Sequence, residues 1–421
     1  MSINPTKILT ITGIAALACG LDSGVIAATL PYLISGEGYS ISQISYIAGA
    51  VMAGLFILTP IGGVLVEKFG AKATIILGAA LDVTCAPLLF FSHGCYPMML
   101  AGRVAAGAGL ALLYVAVPLY LAEALPEERK SKGLGLFNML VSVGLVAGAL
   151  AGFLVSALAG PSAEASAMAS LWAWRSLYLL PAVFAFLLLP SAFLLEDARA
   201  VSKTVSDETN SEMVGGTFLG AMAIAMFFGA ATQLTGISAV LNYPVLLMDK
   251  AGLGGLSANG VDIANKGTNA IVSMMAIVLL NRLGCRRLLI IGTAGTFVGL
   301  MLAMSAFALT EWFGVAPSFL TGGILAAAFV IFMIFFSFGP GYGVWMILPM
   351  MLPSRYRTKG MCVAIFTNYL GGWIASNAFL PAAARIGHAA MFAILASATL
   401  VYCLFAVIKV PGGAESGRKM T

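Results

Sequence analysis

The stretch RVAAGAGLALLYVAVPLYLAEALPEERKSKG, Arg103 to Gly133, decides the fold. No charge stands between Arg103 and Glu123, and the run then ends in Glu127, Glu128, Arg129, Lys130 and Lys132. At about 1.5 Å per residue the uncharged interval spans about 30 Å of helix, one hydrocarbon thickness. Arg103 therefore sits inside a membrane span rather than beside it. A guanidinium at that depth is costly enough to demand a partner or a wet interior, so a functional role is the default reading.

The rest of the chain shares this character. Of 421 residues, 60% are hydrophobic and 9% charged, where soluble domains carry about 25% charge. Spans are expected at 8–33, 41–66, 72–93, 96–123, 131–159, 171–194, 216–248, 258–281, 287–309, 317–350, 357–384 and 387–409. Barrel strands would be shorter, about 10 residues, and would alternate. The expected fold is an all-α membrane protein of twelve transmembrane helices in two pseudo-symmetric six-helix bundles. The long polar break EDARAVSKTVSDETNSEMVGG divides it: residues 1–195, a linker at 196–216, and 217–421.

The net charge of +5 would point to nucleic acid in a soluble chain, but here topology explains it. With a cytoplasmic N-terminus, most Lys and Arg fall on the cytoplasmic side, leaving Arg175, Lys250, Lys266 and Arg385 outside. Both termini are then cytoplasmic. The first apolar segment lacks a cleavage site and reads as a retained helix. Cys19, Cys85, Cys95, Cys285, Cys362 and Cys403 are scattered without CxxC spacing, so packing rather than metal or disulfide is expected. No cofactor is expected. No HExxH, GxSxG or Walker sequence is present, and His93 and His388 fall near outer helix ends.

A repeat supports the division. EKFGAK (Glu67–Lys72) returns as NRLGCRR (Asn281–Arg287), and LPEERKSKG (Leu125–Gly133) as LPSRYRTKG (Leu352–Gly360), at matching span numbers. Each copy sets a glycine turn, Gly70 or Gly284, among basic residues. Glu67, Lys68, Lys72, Glu123, Arg129, Glu196, Arg199, Arg282, Arg286, Arg287 and Arg357 are the expected members of a cytoplasmic latch between the halves. The plainer alternative is that these charges only set topology.

Several stretches resemble the sugar porter family of the major facilitator superfamily: GLDSGVIAATLPYL (Gly20–Leu33), GGVLVEKFGAK (Gly62–Lys72), PLYLAEALP (Pro118–Pro126), WRSLYLLPAV (Trp174–Val183), TQLTGISAVLNY (Thr232–Tyr243) and GVWMILPMMLPSRYRTKG (Gly343–Gly360). The resemblance covers nearly the whole chain and implies alternating access about a central site. The chain departs from the family pattern at Thr232, Ser238, Asn242, Met139 and Met350, and in LEDAR (Leu195–Arg199).

Asp22 lies about 16 Å inside its span and Arg103 about 10 Å inside its own, close enough in depth to meet. An unpaired carboxylate in low dielectric takes up a proton, and a nearby guanidinium favours its charged form. Asp22 is thus a candidate proton carrier switched by Arg103, and the resemblance implies the same role. A permanently ionised structural pair is the alternative. Asp82 is the other acid in a span, expected to bond locally to Thr84 or face a neighbouring helix.

For a solute, Gln233, Asn269 and Asn368 match amide positions of the family, and Trp345 its tryptophan. Thr232, Asn242, Tyr369 and Trp373 are further candidates. Amides in hydrocarbon are expensive unless satisfied, and they offer the donors and acceptors a hydroxyl-rich ligand needs. Interhelical bonding is the alternative for each. Gly144, Gly148 and Gly152 form a close-packing face on the fifth helix, without the proline of antiporter motifs. FGPGYG (Phe338–Gly343) is expected to break the tenth helix.

These readings predict a monomeric proton-coupled symporter of a monosaccharide or polyol in an inner membrane, contacting lipid but no nucleic acid. A uniporter or symporter of another small solute, such as an organic acid, is the second expectation. It is disfavoured because Arg103 is the one interior cation foreseen. A non-transporting receptor is the third.

Overall fold

The computed structural model describes residues 5–160, 166–196 and 217–410. Among them there is no strand; the elements are helices. Two compact units, Met1–Asp207 and Glu208–Thr421, divide the chain.

The first unit contains α1 (Pro5–Glu37), α2 (Ile41–Phe69), α3 (Ala71–Phe90), α4 (Tyr96–Ala124), α5 (Glu127–Ala159) and α6 (Ala167–Phe193). Turns between them follow the sequence signals. Ser40 caps α2 through a reciprocal bond with Gln43. Gly70 joins α2 to α3 at φ 91°, a backbone conformation that a side chain would strain. The repeated basic motif places Gly284 at φ 76° between two helices of the second unit.

That unit contains α7 (Phe218–Leu234), α8 (Ile237–Asn242), α9 (Pro244–Lys250), α10 (Leu256–Leu283), α11 (Cys285–Glu311), α12 (Phe319–Phe338), α13 (Val344–Met351), α14 (Arg357–Ile386) and α15 (His388–Lys409). The single span expected at 216–248 is in three pieces. Gly236 adopts a left-handed φ of 86° and ends α7, while Pro244 starts α9. The tenth span is broken as expected: the π-helical turn Gly339–Gly343 lies between α12 and α13.

Helix pairing repeats between the units. In the first, α1 packs on α5 and α6, α4 on α2 and α3, and α3 on α6. In the second, α7 packs on α14 and α15, α12 on α10 and α11, and α11 on α15. Counting α7–α9 and α12–α13 as one span each, every pair in the first set recurs six spans later. The weak sequence repeat is thus a repeat of architecture.

Among the described residues, ten helices are long and apolar enough to cross a membrane, and α10 and α14 are not in that set. Both are interrupted by polar groups, Asn259, Asp262, Asn265 and Lys266 on α10 and Asn368 and Ser376 on α14, and all six are buried. In membrane proteins such groups face protein or a wet interior rather than lipid.

The glycine face of α5 packs against glycines of α1. A Cβ on Gly24 would lie 2.5 Å from the carbonyl oxygen of Leu145 and 2.9 Å from Cα of Gly148. Gly24→Val is expected to destabilise the first unit by about 1–3 kcal/mol through overpacking. The readout is a lower midpoint of thermal unfolding in detergent. Gly135→Ala, where an added Cβ meets nothing within 4 Å, is expected to leave the midpoint unchanged or higher.

Candidate functional site

In the first unit, α1 and α4 bring Asp22 and Arg103 together. Arg103 Nη1 donates to Asp22 Oδ1 at 3.0 Å. The residues are 6% and 1% exposed. The close α1–α5 approach at Gly20 and Gly24 brackets Asp22 in sequence and fixes its helix against α5. The guanidinium also lies over the Tyr178 ring of α6, 5.3 Å from its centroid, a cation–π contact. Trp174, fully buried one turn earlier, packs edge-on against Tyr178. Tyr178 is a member of this site that sequence reasoning missed. Its signal was present in WRSLYLL, four residues after Trp174.

The pair is not fully satisfied. Asp22 Oδ2 and Arg103 Nε are buried without hydrogen-bond partners. One carboxylate oxygen is thus available to a proton while the other holds the cation. Asp82, also buried, presses its carboxylate against Gly109 of α4. Of the two expectations for Asp82, it faces the neighbouring helix, while Thr84 Oγ1 donates to its own helix at Leu81 O, 2.7 Å away.

In the second unit, α7, α8 and α14 gather two of the expected polar residues, Gln233 and Asn368, with Ser238. Gln233 Nε2 donates to Asn368 Oδ1 at 3.2 Å, and Ser238 Oγ donates to Gln233 Oε1 at 3.1 Å. Asn368 Nδ2 donates to the Gly229 carbonyl at 3.2 Å. All three residues are buried. The network holds the amides in one orientation and positions α7 against α14. Asn242 Nδ2 donates to Ser376 Oγ at 3.3 Å, and Tyr243 Oη to the Ser376 carbonyl at 2.6 Å. Thr232 is bonded within its own helix to Phe228 O, 2.9 Å away. Asn269 on α10 accepts from Ser337 Oγ of α12 at 2.8 Å. Trp345 is half-buried against the apolar core that contains Phe228, Leu348 and Tyr402. Tyr369 and Trp373 are half-buried one and five residues beyond Asn368.

Lys266 corrects the charge map. Placed outside by the sequence reading, it is fully buried on α10, where Nζ bonds Asp262 Oδ2 at 2.7 Å. Arg103 is therefore not the one interior cation, nor are Asp22 and Asp82 the only buried acids. The error was to assign Lys266 to the outer flank by charge bias alone, although it falls within the expected span.

At the basic junctions, Lys68, Arg129, Arg282 and Arg287 are exposed and Lys72 is half-buried. Glu67 and Glu196 are exposed, and Glu123 is half-buried. Arg286 Nη2 donates to the Val407 carbonyl at 3.0 Å. Arg199 and the Arg357 side chain lie outside the described residues.

At the other helix ends, the two histidines meet acids. His93 Nδ1 is 2.7 Å from Glu37 Oε1, and His388 Nδ1 is 2.9 Å from Glu311 Oε1. Beside the first pair, burial and then the Glu37 charge push the Tyr39 hydroxyl up to about 12.

The family model of the Major Facilitator Superfamily matches residues 12–376. The chain belongs to the Major Facilitator Superfamily. It is accordingly a multi-pass membrane transporter rather than an enzyme. Among superfamily relatives, it is 23% identical to the glucose transporter GlcP of Staphylococcus epidermidis, covering 90% of this chain and 88% of that one. It is 22% identical to the galactose-proton symporter of Escherichia coli strain K12, covering 95% and 90%. The crystal structure of a D-xylose-proton symporter superposes with a TM-score of 0.81 at 17% identity, covering 97% and 98%. That likeness gives the superfamily fold.

Proposed function

We propose that this chain is a secondary active transporter of the sugar porter kind, which carries a monosaccharide or polyol together with a proton by alternating access. The carrying observation is the buried contact of 3.0 Å between Arg103 and Asp22. An ion pair out of water is stable only while the partners touch. Separation leaves a buried carboxylate, which takes a proton instead. Any motion that alters the Asp22–Arg103 distance therefore alters proton affinity, and a motion that also exposes the solute site couples the two.

Supporting the solute class, relatives that align over most of the chain are named for glucose and galactose. Gln233, Asn368, Asn269 and Asn242 offer amide groups, and Trp345 an aromatic surface. Each amide also holds neighbouring helices. A solute would exchange with some of these bonds rather than find idle groups. On this reading the proton is the coupling ion and needs no cofactor. The monomer lies in the cytoplasmic membrane with both termini inside, and the basic junctions form a latch made and broken between states.

Uptake of labelled pentoses, hexoses and polyols into proteoliposomes, with and without an imposed pH gradient, tests this proposal. At least one of these solutes is expected to accumulate only with the gradient, acid outside. Uptake equal in both conditions would replace symport by uniport. The organic-acid reading gains one specific observation, the buried Lys266.

A further inference from the structure

Helix α10 carries a polar stripe that the proton–sugar mechanism does not use. Asn259, Asp262, Asn265, Lys266 and Asn269 recur at intervals of three and four, which places them along one side of a helix. Asn259 is 5% exposed, Asp262 1%, and Asn265 and Lys266 0%. Asp262 and Lys266 form an i,i+4 pair of 2.7 Å. A surface pair of this kind contributes only tenths of a kcal/mol. A buried one incurs a desolvation cost that well-packed apolar side chains avoid.

The unpaired atoms on this stripe share one chemistry. Asp262 Oδ1, Asn259 Oδ1 and Asn265 Oδ1 are buried acceptors without a donor. The amide nitrogens are committed: Asn259 Nδ2 to Gly255 O and Asn265 Nδ2 to Val240 O, at 3.2 and 3.0 Å. Lys266 Nζ thus bonds one oxygen of a stripe on which three other buried acceptors lack donors. A proton on Asp262 would supply a donor among acceptors one turn before and after it. It would also loosen the hold of Asp262 on the ammonium.

Charge counting then identifies the ligand. Asp262 and Lys266 together are neutral. With Asp262 protonated and Lys266 still an ammonium, the buried set is positive by one charge. A carboxylate restores zero. The elements packed on α10 provide few alternatives: α8 and α12 have no ionisable side chain. On α9 the charged residues Asp249 and Lys250 are at its C-terminal end, and on α11 Arg286, Arg287 and Glu311 lie at its ends. Cys285 of α11 and Tyr342 of the π turn complete the set. The stripe also reaches the solute residues. Asn269 lies three residues beyond Lys266, and Asn265 bonds α8, the helix from which Ser238 holds Gln233.

We propose that Asp262 and Lys266 form a proton-linked carboxylate subsite, so that the transported solute is a polyhydroxylated carboxylate, a sugar acid. The inference rests on the transporter reading above and changes its solute from a neutral sugar to a sugar acid. On binding, an O–H bond forms between Asp262 and a proton from water, and the Lys266 N–H exchanges the Asp262 carboxylate for that of the solute. Release reverses both steps. The buried set stays neutral throughout.

The test is equilibrium binding of labelled D-gluconate and D-glucuronate to the purified full chain, with D-glucose and sorbitol as neutral probes. A pH series is run in the Asp22→Asn background, which silences the other proton site. There the apparent affinity for the sugar carboxylates is expected to fall about tenfold per unit of rising pH, the slope of one linked proton. Adding Asp262→Asn should flatten that slope while binding persists. Lys266→Gln should weaken carboxylate binding at least tenfold and change that of any neutral probe less than threefold. The double variant Asp262→Asn/Lys266→Gln leaves no unpaired charge and should show the same selective loss.

Carboxylate binding unaffected by Lys266→Gln or by the double variant would overturn the subsite. So would a slope unchanged by Asp262→Asn. Neutral sugars carried with a proton and no carboxylate bound would overturn this inference alone. Carboxylates bound through Lys266 with no neutral sugar carried would uphold it and correct the neutral-solute reading. Binding of neither class would overturn both.

Discussion

With a neutral sugar or polyol as solute, replacing Asp22 by asparagine is expected to abolish uphill transport while sparing exchange. For one proton per solute, each unit of pH gradient supports about tenfold accumulation, since one unit is worth about 1.4 kcal/mol. The Asp22→Asn ratio should fall to one. Asparagine keeps the size of the side chain and its hydrogen bond to Arg103, now 3.0 Å away, but has no proton to exchange. Counterflow of labelled against unlabelled solute needs no net proton movement, so it should survive. Arg103→Leu is a different defect. It leaves Asp22 buried without its cation, a change that costs about 3–5 kcal/mol when one partner of a buried pair is removed. Loss of exchange together with coupling in Arg103→Leu, against loss of coupling alone in Asp22→Asn, distinguishes a switch from a scaffold.

The second large effect is expected at Gln233 and Asn368. Each is buried, and each is tied to the other at 3.2 Å. Truncating either to alanine removes donors and acceptors that a hydroxyl-bearing solute would use, and leaves the other amide short of a partner. An unpaired buried polar group costs about 1–3 kcal/mol, and about 1.4 kcal/mol corresponds to tenfold in binding. Gln233→Ala and Asn368→Ala are therefore each expected to raise the transport KM about tenfold or more. Saturation kinetics of exchange, paired with the unfolding midpoint of each variant, make the check. A lower midpoint with unchanged KM would assign these amides to the α7–α14 contact alone.

How far the sequence could be read follows from these same residues. The spans were legible because hydrocarbon imposes length and composition on every crossing helix. The Asp22–Arg103 contact was legible because two charges in apolar runs at similar depth have few other ways to be stable. The break at Gly339–Gly343 was legible from its glycines and proline. What failed was α10. NGVDIANKGTN has polar residues at helical spacing, yet Lys266 was counted by the statistics of flanking charge and not by its position on a helix face. The division of the seventh span into α7, α8 and α9 depends on Gly236 at φ 86°, and its left-handed conformation has no unique sequence mark. Tyr178 was missed because an aromatic ring in a span is ordinary packing until a cation lies over it. Which amides hold helices and which meet a solute is a matter of tertiary pairing, as Asn242 with Ser376 illustrates.

The central claim is that Asp22 trades a proton as solute moves, and the most direct measurement is the external pH of a weakly buffered proteoliposome suspension. Adding a transported neutral sugar or polyol to the parent protein should produce an alkaline shift as protons enter with it. The same addition to Asp22→Asn, at matched exchange activity, should produce none. An equal shift from both proteins would contradict the account.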